Sequence, residues 1–546
     1  MNTEVIQRKN IFEGVTGYHW LVVVIASCGW LFDCMDQRLF VLARESALKE
    51  LLGNDAAALL ALKKYIGYAT TSMILGWATG GIIFGMMSDK IGRVKTMVAT
   101  LIVYSGFTGL SGFAQSWVDF TIYRFLVGLG VGGMFGAATT LVAESVPGQF
   151  RSVALGSLQA LSATGNILGS LISLQIPPGA VNFFGDFAGW RILFFVGILP
   201  SLLVIPIMFF LKEPEVWRQA VKSKTTKRKA GSYSELLANP NWHIAAAFAA
   251  VAGIGIILVS LVAPDHWPRV PINLVLTLVV VVAGVWTIRG DRSGSLLGTI
   301  LIVIAMLGIA VLAQQNWPKT ELEICLAVMV VLVAGAAFYF HRKPIPQRDT
   351  RWRRNTNVGL LLGVSGMIGL WGIGFFSPEL ISTALKGAPQ STIDNVRGWG
   401  TALQDVGAFL GMMTFTLVAS YLNRRLAFLG AFILCLATTM FVFNSLNSAA
   451  DAYWMLPLMG FAQLAVFAGY SIYFPELFPT RLRGTGVGFC YNTVRYLAAP
   501  APILLGYLST LWSFRTAAMV MSSIYLLGVI ALIWAPETKD QPLPEG

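Results

Sequence analysis

Four charged side chains lie inside long apolar stretches of the chain, where each one needs a partner or a task. Asp33 and Asp36 share the first stretch, Arg124 lies in the fourth and Arg495 in the eleventh. An ionisable group within a membrane span costs at least about 2.5 to 3.5 kcal/mol on insertion scales. The two carboxyls are three residues apart, so a helix would carry them on one face, roughly 5 to 6 Å from each other. These four residues are the first candidates for chemistry.

Asp36 and Arg124 are expected to meet. Their stretches run in opposite directions, and at a rise of about 1.5 Å per residue Asp36 lies on the order of 10 Å below the outer end of its helix, with Arg124 at a similar depth. A neighbouring arginine keeps an acid ionised, and separating the two in dry surroundings raises the acid's affinity for a proton. Proton binding and helix arrangement would then be linked. The alternative to proton coupling is that Asp36 and Arg124 form a static ion pair. For Asp33, the alternative is that it only bonds to a neighbouring helix.

Arg495 has no acid obviously level with it. Tyr491 and Asn492 precede it on about one helix face, and Asp405 lies about 10 Å nearer the outside at the same rise per residue. An unpaired guanidinium at the membrane midplane suits a substrate carboxylate, which it can hold with two parallel hydrogen bonds. The alternative is a partner within the protein, such as Asp405 or Glu379.

Neutral polar and aromatic side chains in other apolar stretches are further candidates for substrate contacts. Groups of these types line cavities for hydroxylated substrates, although each could instead bond one helix to another. The predicted substrate-binding set is Arg495, Asn492, Tyr491, Gln159, Asn166, Gln404, Asp405, Gln463, Tyr470 and Trp371.

The composition requires an all-α membrane protein. With 55% hydrophobic and 12% charged residues, the chain has more apolar surface than a soluble core can cover. A helix needs about 20 mostly apolar residues to cross a bilayer. Twelve such runs begin near Trp20, Ala69, Thr96, Val118, Ser152 and Ile192 in the first half and near Val358, Gly398, Leu426, Trp454, Gly486 and Thr516 in the second.

Four more apolar runs, roughly 244–262, 272–288, 296–312 and 324–340, lie between the halves. The net charge of +12 comes mostly from short loops that fall on one side of the membrane. That is the positive-inside pattern and not the signature of a nucleic-acid binder. We expect about sixteen spans with both termini cytoplasmic. The predicted division is an N-terminal half at 1–215, a basic linker at 216–242, an inserted membrane segment at 243–341, a second basic linker at 342–355 and a C-terminal half at 356–546.

One spaced motif occurs twice. It is Glu144-x-x-Pro147-x-x-x-Arg151-x-x-x-x-Gly156 in the first half and Glu476-x-x-Pro479-x-x-x-Arg483-x-x-x-x-Gly488 in the second. Trp190-Arg191 with Glu213-Pro214-Glu215, and Trp512-x-x-Arg515 with Pro536-Glu537, form a second matching pair in the same order. The chain is therefore an internal duplication. Transporters of the alternating-access type are built from repeated halves that hold substrate between them near the midplane.

Signatures of enzymes are missing from the sequence. No nucleophile elbow, phosphate loop or zinc motif occurs. The five cysteines all fall within apolar runs without metal-ligand spacing, so they are expected to be small core residues. We expect no enzymatic activity, no metal and no cofactor.

Gly85-x-x-x-Asp89-Lys90-x-Gly92-Arg93-x-Lys95 closely resembles the signature loop of the major facilitator superfamily. The run from Tyr123 to Gly130, the paired Glu-x-x-Pro-x-x-x-Arg loops and Pro536-Glu537-Thr538-Lys539 are similar to the branch with sugar porters, organic-ion carriers and metabolite:proton symporters. Asp33-x-x-Asp36 and Tyr491-Asn492-x-x-Arg495 look most like the aromatic-acid and sialate:proton symporters. The resemblance covers both six-span halves and excludes the insert.

The resemblance implies roles for charged residues. In similar symporters an acid of the first span and an arginine of the fourth couple transport to protons, which implies this role for Asp36 and Arg124, with Asp33 as a further candidate. Residues at the cytoplasmic helix ends would act as latches that hold an outward-open state, or would only set topology. The gating residues implied in this way are Asp89, Arg93, Glu144, Arg151, Glu476 and Arg483. The second copy of the loop, near Tyr421 to Arg425, has lost the acid and the glycines, which implies a weaker latch.

These features predict a proton-coupled symporter with the major facilitator fold, located in the cell membrane. It would import a small organic anion such as a sialic, sugar or monocarboxylic acid, with the proton as coupling ion and a monomer as the expected state. Its partners would be the substrate, the proton and the lipid bilayer. The alternatives are a carrier of neutral sugars or organic cations, and a transporter-like receptor that does not transport.

Overall fold

The computed structural model describes residues 11–53, 62–180, 185, 187–222, 230–237, 351–498, 501, 505, 508–509 and 512–545. The four apolar runs predicted in the insert lie outside these residues, as does Cys325. The described residues form helices and no β-strand. Nine of their helical stretches are long and apolar enough to cross a membrane.

The first half contains the six predicted spans. Its helices are α1 (Gly17–Leu52), α2 (Leu62–Ile91), α3 (Arg93–Ser111), α4 (Trp117–Ser145), α5 (Gly148–Gln175), α6 (Gly189–Val196) and α7 (Val204–Phe210). A 3-10 turn at Leu199–Leu203 joins α6 to α7, so these two helices make up the sixth span. Two short helices follow, α8 (Glu215–Lys222) and α9 (Tyr233–Leu236).

The second half repeats this order. Its helices are α10 (Arg351–Gly372), α11 (Ser377–Ala384), α12 (Gln390–Tyr421), α13 (Arg424–Ser445), α14 (Ala449–Glu476), α15 (Arg483–Asn492), α16 (Val494–Ala498), α17 (Phe514–Met521) and α18 (Ile524–Ala531). The predicted start of each of the twelve core spans falls within a helix or within a few residues of one. The prediction of an all-α protein with two six-span halves is confirmed.

Equivalent helices of the two halves begin with the same cap. Ser116 precedes α4 and accepts a hydrogen bond at 3.1 Å from the backbone N–H of Asp119, whose carboxylate accepts from the Ser116 N–H at 3.1 Å. Ser448 and Asp451 make the same reciprocal pair before α14, at 3.2 and 2.8 Å. Such a capping box satisfies N–H groups that a helix start leaves unpaired.

Equivalent glycines let the long helices approach closely. A Cβ at Gly76 of α2 would lie 2.0 Å from the backbone oxygen of Phe125 in α4, and a Cβ at Gly407 of α12 would lie 2.0 Å from that of Pro457 in α14. No larger residue fits either position without moving the backbone, which is how small residues join helices in membranes. The duplication thus extends from sequence to packing.

The chain separates into two compact units, one of Met1–Gly231 with Val358–Gly546 and one of Ser232–Asn357. All contacts described below lie within the first unit, which holds both six-span halves. We name the side of the bundle where α2 ends and α3 begins the Arg93 face. The opposite side, where α1 ends near Glu50, is the Glu50 face.

Candidate functional site

Asp36 and Arg124 form a long, fully buried ion pair. Nη1 of Arg124 lies 4.0 Å from Oδ2 of Asp36, and neither side chain is exposed. Ser111 anchors the guanidinium by accepting hydrogen bonds from Nε at 3.1 Å and from Nη2 at 2.5 Å. Phe194 packs over the guanidinium with its ring centre at 4.6 Å. Arg124 is therefore held in place by groups other than the acid that it faces.

The Asp36 carboxylate has the Thr108 hydroxyl beside it, but no described residue donates to it within the usual distance and angle of a hydrogen bond. Asp33, one helical turn earlier in α1, likewise lacks such a donor and is also fully buried. Asp33 lies within electrostatic range of both Asp36 and Arg495. Two buried acids with so few partners are costly when ionised, because burial removes the water that would solvate them.

Arg495 of α16 is held between two aromatic rings. Its guanidinium carbon lies 3.8 Å from the ring centre of Trp77 in α2 and 4.7 Å from that of Tyr491 in α15. Nη1 donates to the backbone oxygen of Tyr491 at 2.7 Å and to Oδ1 of Asn492 at 3.2 Å. Its Nε is buried and has no acceptor in the described part of the chain. The side chain thus keeps hydrogen-bonding capacity for another group.

No acid in the sequence is obviously level with Arg495, but in the structure Asp33 lies within electrostatic range of it. Helix α1 has 36 residues and extends well beyond the roughly 20 that a span needs, so hydropathy does not fix the depth of Asp33 in the membrane.

Asp405 pairs with Arg38, and not with Arg495 as one alternative had it. The ion pair joins α1 of the first half to α12 of the second, with side chains 24% and 17% exposed. Asn166 of α5 makes a side-chain contact with the same carboxylate. Glu379, the other proposed partner, lies within electrostatic range of Arg44. Asp405 is thus ion-paired with Arg38, which was not among the predicted site residues.

Two members of the predicted substrate set lie at the junction of the halves. Gln159 of α5 accepts a hydrogen bond at 3.1 Å from Ser471 of α14. Trp371 of α10 stacks on Phe375 at 4.4 Å and meets Trp77 edge-on at 6.1 Å. Trp371 therefore borders the region around Arg495, because Trp77 packs on that guanidinium.

Three other members bond within the second half. Gln404 accepts from Ser377 at 2.8 Å, Gln463 donates to Thr439 at 3.1 Å, and Tyr470 donates to the backbone oxygen of Leu362 at 2.7 Å. These contacts match the helix-to-helix role that the sequence left open for each of them. Tyr470 still borders the site, because its ring centre lies 6.5 Å from that of Tyr491.

Four of the predicted gating residues, Asp89, Arg93, Glu144 and Arg483, form one buried network at the Arg93 face. Glu144 accepts two hydrogen bonds from Arg93, at 2.9 and 3.0 Å, and a third from Arg483 of the other half. Asp89 accepts from the backbone N–H groups of Gly484 and Thr485 at 2.9 and 2.8 Å, and from the Thr485 hydroxyl at 2.6 Å. These bonds fasten α2 and α4 to the start of α15.

The second half repeats the core of this network. Arg424 donates to Glu476 through two hydrogen bonds at 3.1 and 2.9 Å, as Arg93 does to Glu144. Glu213 accepts from the backbone N–H of Arg93 at 2.7 Å, and Glu537 accepts from that of Arg424 at 3.0 Å. The second copy of the loop therefore keeps its arginine cluster despite the residues that it has lost.

The two copies differ at the position of the acid. Ser420 precedes Arg424 by the same four residues that separate Asp89 from Arg93, and its hydroxyl donates to Thr416 of its own helix at 2.7 Å. Among the described residues, Asp89 therefore bonds to the start of α15, whereas Ser420 makes no equivalent bond to the start of α5. Arg151 and Arg483 make equivalent bonds in their own halves. Arg151 donates to the backbone oxygen of Ala143 at 3.1 Å, and Arg483 donates to that of Pro475 at 3.0 Å.

The family model for the Major Facilitator Superfamily matches residues 26–412. A cis,cis-muconate transport protein of Acinetobacter baylyi is 24% identical over 474 residues, which are 86% of this chain and 84% of that protein. The sialic acid transporter NanX of Escherichia coli is 34% identical over 221 residues, 40% of this chain and 48% of that protein. A benzoate transport protein of Acinetobacter baylyi is 27% identical over 204 residues, 36% of this chain and 40% of that protein.

Solved structures share the fold. The proton:xylose symporter XylE, bound to 6-bromo-6-deoxy-D-glucose, matches with a TM-score of 0.63 at 15% identity and covers 96% of this chain and 98% of its own. The similarity read from the signature loop is confirmed, and so is the likeness to transporters of aromatic acids and sialic acid. The chain belongs to the Major Facilitator Superfamily.

Proposed function

We propose that this membrane transporter is a proton-coupled symporter that imports a small organic anion by alternating access. The observation that carries the proposal is the Asp36 carboxylate, which is fully buried and 4.0 Å from Arg124, with the Thr108 hydroxyl as a neighbouring hydrogen-bond donor. A buried acid with one distant cation needs either that cation or a proton. It can therefore exchange one for the other when the helices around it move.

The anion part of the proposal rests on Arg495. Its Nε is free of acceptors in the described chain, and Trp77 and Tyr491 cover its faces. Carboxylates are bound most specifically by the planar fork of arginine. Relatives named for muconate, benzoate and sialic acid carry substrates that share a carboxylate. We infer that the substrate is a carboxylate held by Arg495, with the neighbouring rings packed against its body.

The gating part rests on the network at the Arg93 face. We assign this face to the cytoplasm because its loops carry the basic residues that the positive-inside rule places there. Both termini would then be cytoplasmic. The buried bonds from Asp89, Glu144 and Arg483 close the halves on this side. Opening toward the cytoplasm requires breaking them, so they act as the latch of an outward-facing or closed state.

The proposal is tested by uptake into proteoliposomes that contain the purified full-length chain. The panel is benzoate, niacin, cis,cis-muconate and sialic acid, with xylose as a neutral sugar. We expect at least one acid to accumulate when the outside is made acidic, and to equilibrate without accumulation when the gradient is collapsed. Uptake of xylose alone would contradict the organic-anion proposal, and uptake of none of the five would contradict symport of these classes altogether.

A further inference from the structure

Asp33 and Arg495 face each other across the junction of the two halves. Trp30, one turn before Asp33 in α1, meets the ring of Tyr491 at 6.4 Å. Tyr491 lies one turn before Arg495, and both helices run from the Arg93 face toward the Glu50 face. Advancing one turn along each helix brings Asp33 opposite Arg495. Their electrostatic interaction agrees with this placement.

Both members of this pair have unused bonding capacity. The two oxygens of Asp33 and Nε of Arg495 are buried and have no hydrogen-bond partner among the described residues. Asp33 is fully buried and Arg495 is 3% exposed. The two opposite charges therefore attract each other, but no hydrogen bond or ion pair within 4.0 Å is described between them. A third group that fits between them, or that replaces one of them, could make the missing bonds.

The surroundings leave Arg495 as the one cation that faces Asp33. Helices α2, α5 and α6 also pack on α1, but none of their described charged side chains interacts with Asp33, since Arg191 of α6 pairs with Glu50 at the far end of α1. Arg124 of α4 faces Asp36. The charged or titratable groups close to Asp33 are Asp36, Cys34, Arg495, Tyr104 and Tyr491.

We propose that Asp33 is the counter-ion of Arg495 and that a substrate carboxylate replaces it only after Asp33 has bound a proton from solution. This inference rests on the proposed function. An ionised Asp33 neutralises Arg495 and repels a second carboxylate, whereas a protonated Asp33 leaves Arg495 free and can donate a hydrogen bond to the incoming anion. Proton and anion then bind together, because each raises the affinity for the other by the same factor.

The assignment separates the tasks of the two acids in α1. Asp33 links the proton to the anion at the binding site, through Arg495 of the second half. Asp36 links a proton to the arrangement of helices, through Arg124 of the first half. A substitution at either position should therefore change a different measurement.

The test measures the dissociation constant of an acid for the purified full-length chain by titration calorimetry at several pH values. The probe is whichever of benzoate, niacin, cis,cis-muconate and sialic acid shows the largest uptake. In the unmutated chain we expect the constant to rise about tenfold for each unit of pH above the titration of Asp33, as competition requires. Asp33→Asn should bind the acid with a constant that does not change with pH, and Asp33→Glu should restore the dependence.

A second measurement keeps the inference testable if the substituted chains do not fold. Repeating the titration of the unmutated chain in buffers of different ionisation enthalpy gives the number of protons taken up with the acid, which should approach one. Asp36→Asn should retain this linkage. An unchanged pH dependence in Asp33→Asn, or no proton uptake in the unmutated chain, would overturn the inference while leaving symport through Asp36 intact. Lack of uptake of every acid would instead overturn the proposed function, and this inference with it.

Discussion

Arg483 of the second half donates a hydrogen bond to Glu144 of the first half, a glutamate that Arg93 already holds through two bonds. All three side chains are buried. One carboxylate therefore bridges two guanidiniums, and one of these belongs to the opposite half. Separation of the halves at the Arg93 face must leave Arg483 without this partner.

Glu144→Gln should favour opening at the Arg93 face, because a neutral amide cannot serve two guanidiniums. A hydrogen bond to a charged group contributes about 1.5 to 3 kcal/mol, so the closed state should lose roughly ten- to hundredfold in population. The readout is the labelling rate of Ser88→Cys in a chain without the native cysteines. Ser88 is fully buried, and a Cβ on Gly484 would lie 3.0 Å from its Cβ.

Glu476→Gln is the matched control for this prediction. Glu476 occupies the equivalent position and holds Arg424, but the hydrogen bonds that it accepts within the described chain come from its own half. Labelling should rise much less than in Glu144→Gln. Equal labelling in both variants would show that the bond across the halves has no special effect on closure.

Asp89→Asn should loosen the start of α15. The carboxylate accepts bonds from two backbone N–H groups and one hydroxyl at a helix start, where a negative charge is favoured. Amide hydrogen exchange at Gly484 and Thr485 should speed up by about tenfold or more, corresponding to 1.5 kcal/mol or more. Ser420→Ala, at the equivalent position, should leave exchange at Ser152 and Val153 unchanged. Unaltered exchange in Asp89→Asn would argue against this latch.

Arg38 and Asp405 should behave as a coupled pair. Reversing either charge alone should lower transport and stability, and the exchange of both, Arg38→Asp with Asp405→Arg, should recover part of the loss. Because both side chains are partly exposed, the coupling energy from thermal unfolding should be modest, at about 1 kcal/mol. Additive effects of the two single changes would show that the contact contributes nothing to the junction of the halves.

Arg495→Lys should weaken substrate binding although the charge is kept, because lysine lacks the planar fork that holds a carboxylate and stacks on Trp77. Loss of a charge-assisted contact costs about 1.5 to 3 kcal/mol, or roughly a ten- to hundredfold rise in the dissociation constant. The amide analogue of the acid should lose a similar factor with the unmutated chain and little more with the variant. Equal binding of acid and amide to the unmutated chain would favour a neutral substrate.

The helices and the duplication could be predicted because both leave periodic marks in the sequence. Apolar runs have the length that a bilayer imposes, and Glu144 and Glu476 head motifs with identical spacing. The capping boxes of Ser116 and Ser448 repeat as well. These features are local, so one chain suffices to recognise them.

The pairing of side chains between helices could be predicted only in part. Asp36 and Arg124 could be matched by depth, but the partner of Asp405 could not, because it depends on how α1 and α12 are rotated about their axes. Asp33 was missed as the acid facing Arg495 because the ends of α1 could not be located from hydropathy. The contact of Trp77 with Arg495 could not be predicted from the sequence, since an aromatic residue in an apolar run usually belongs to the core.

Asp36 is expected to carry the coupling proton. Asp36→Asn imitates the protonated acid and cannot release a proton, so binding and exchange of substrate should survive while energy coupling is lost. Glu45→Gln is the control, because Glu45 lies on the same helix with its side chain 59% exposed, and it should accumulate substrate normally.

The most direct measurement compares two assays of Asp36→Asn in proteoliposomes, one of accumulation under an imposed pH gradient and one of counterflow exchange without a gradient. We expect accumulation to fall to the equilibrium level while counterflow continues. Accumulation of substrate above that level by Asp36→Asn, driven by the pH gradient, would contradict this expectation.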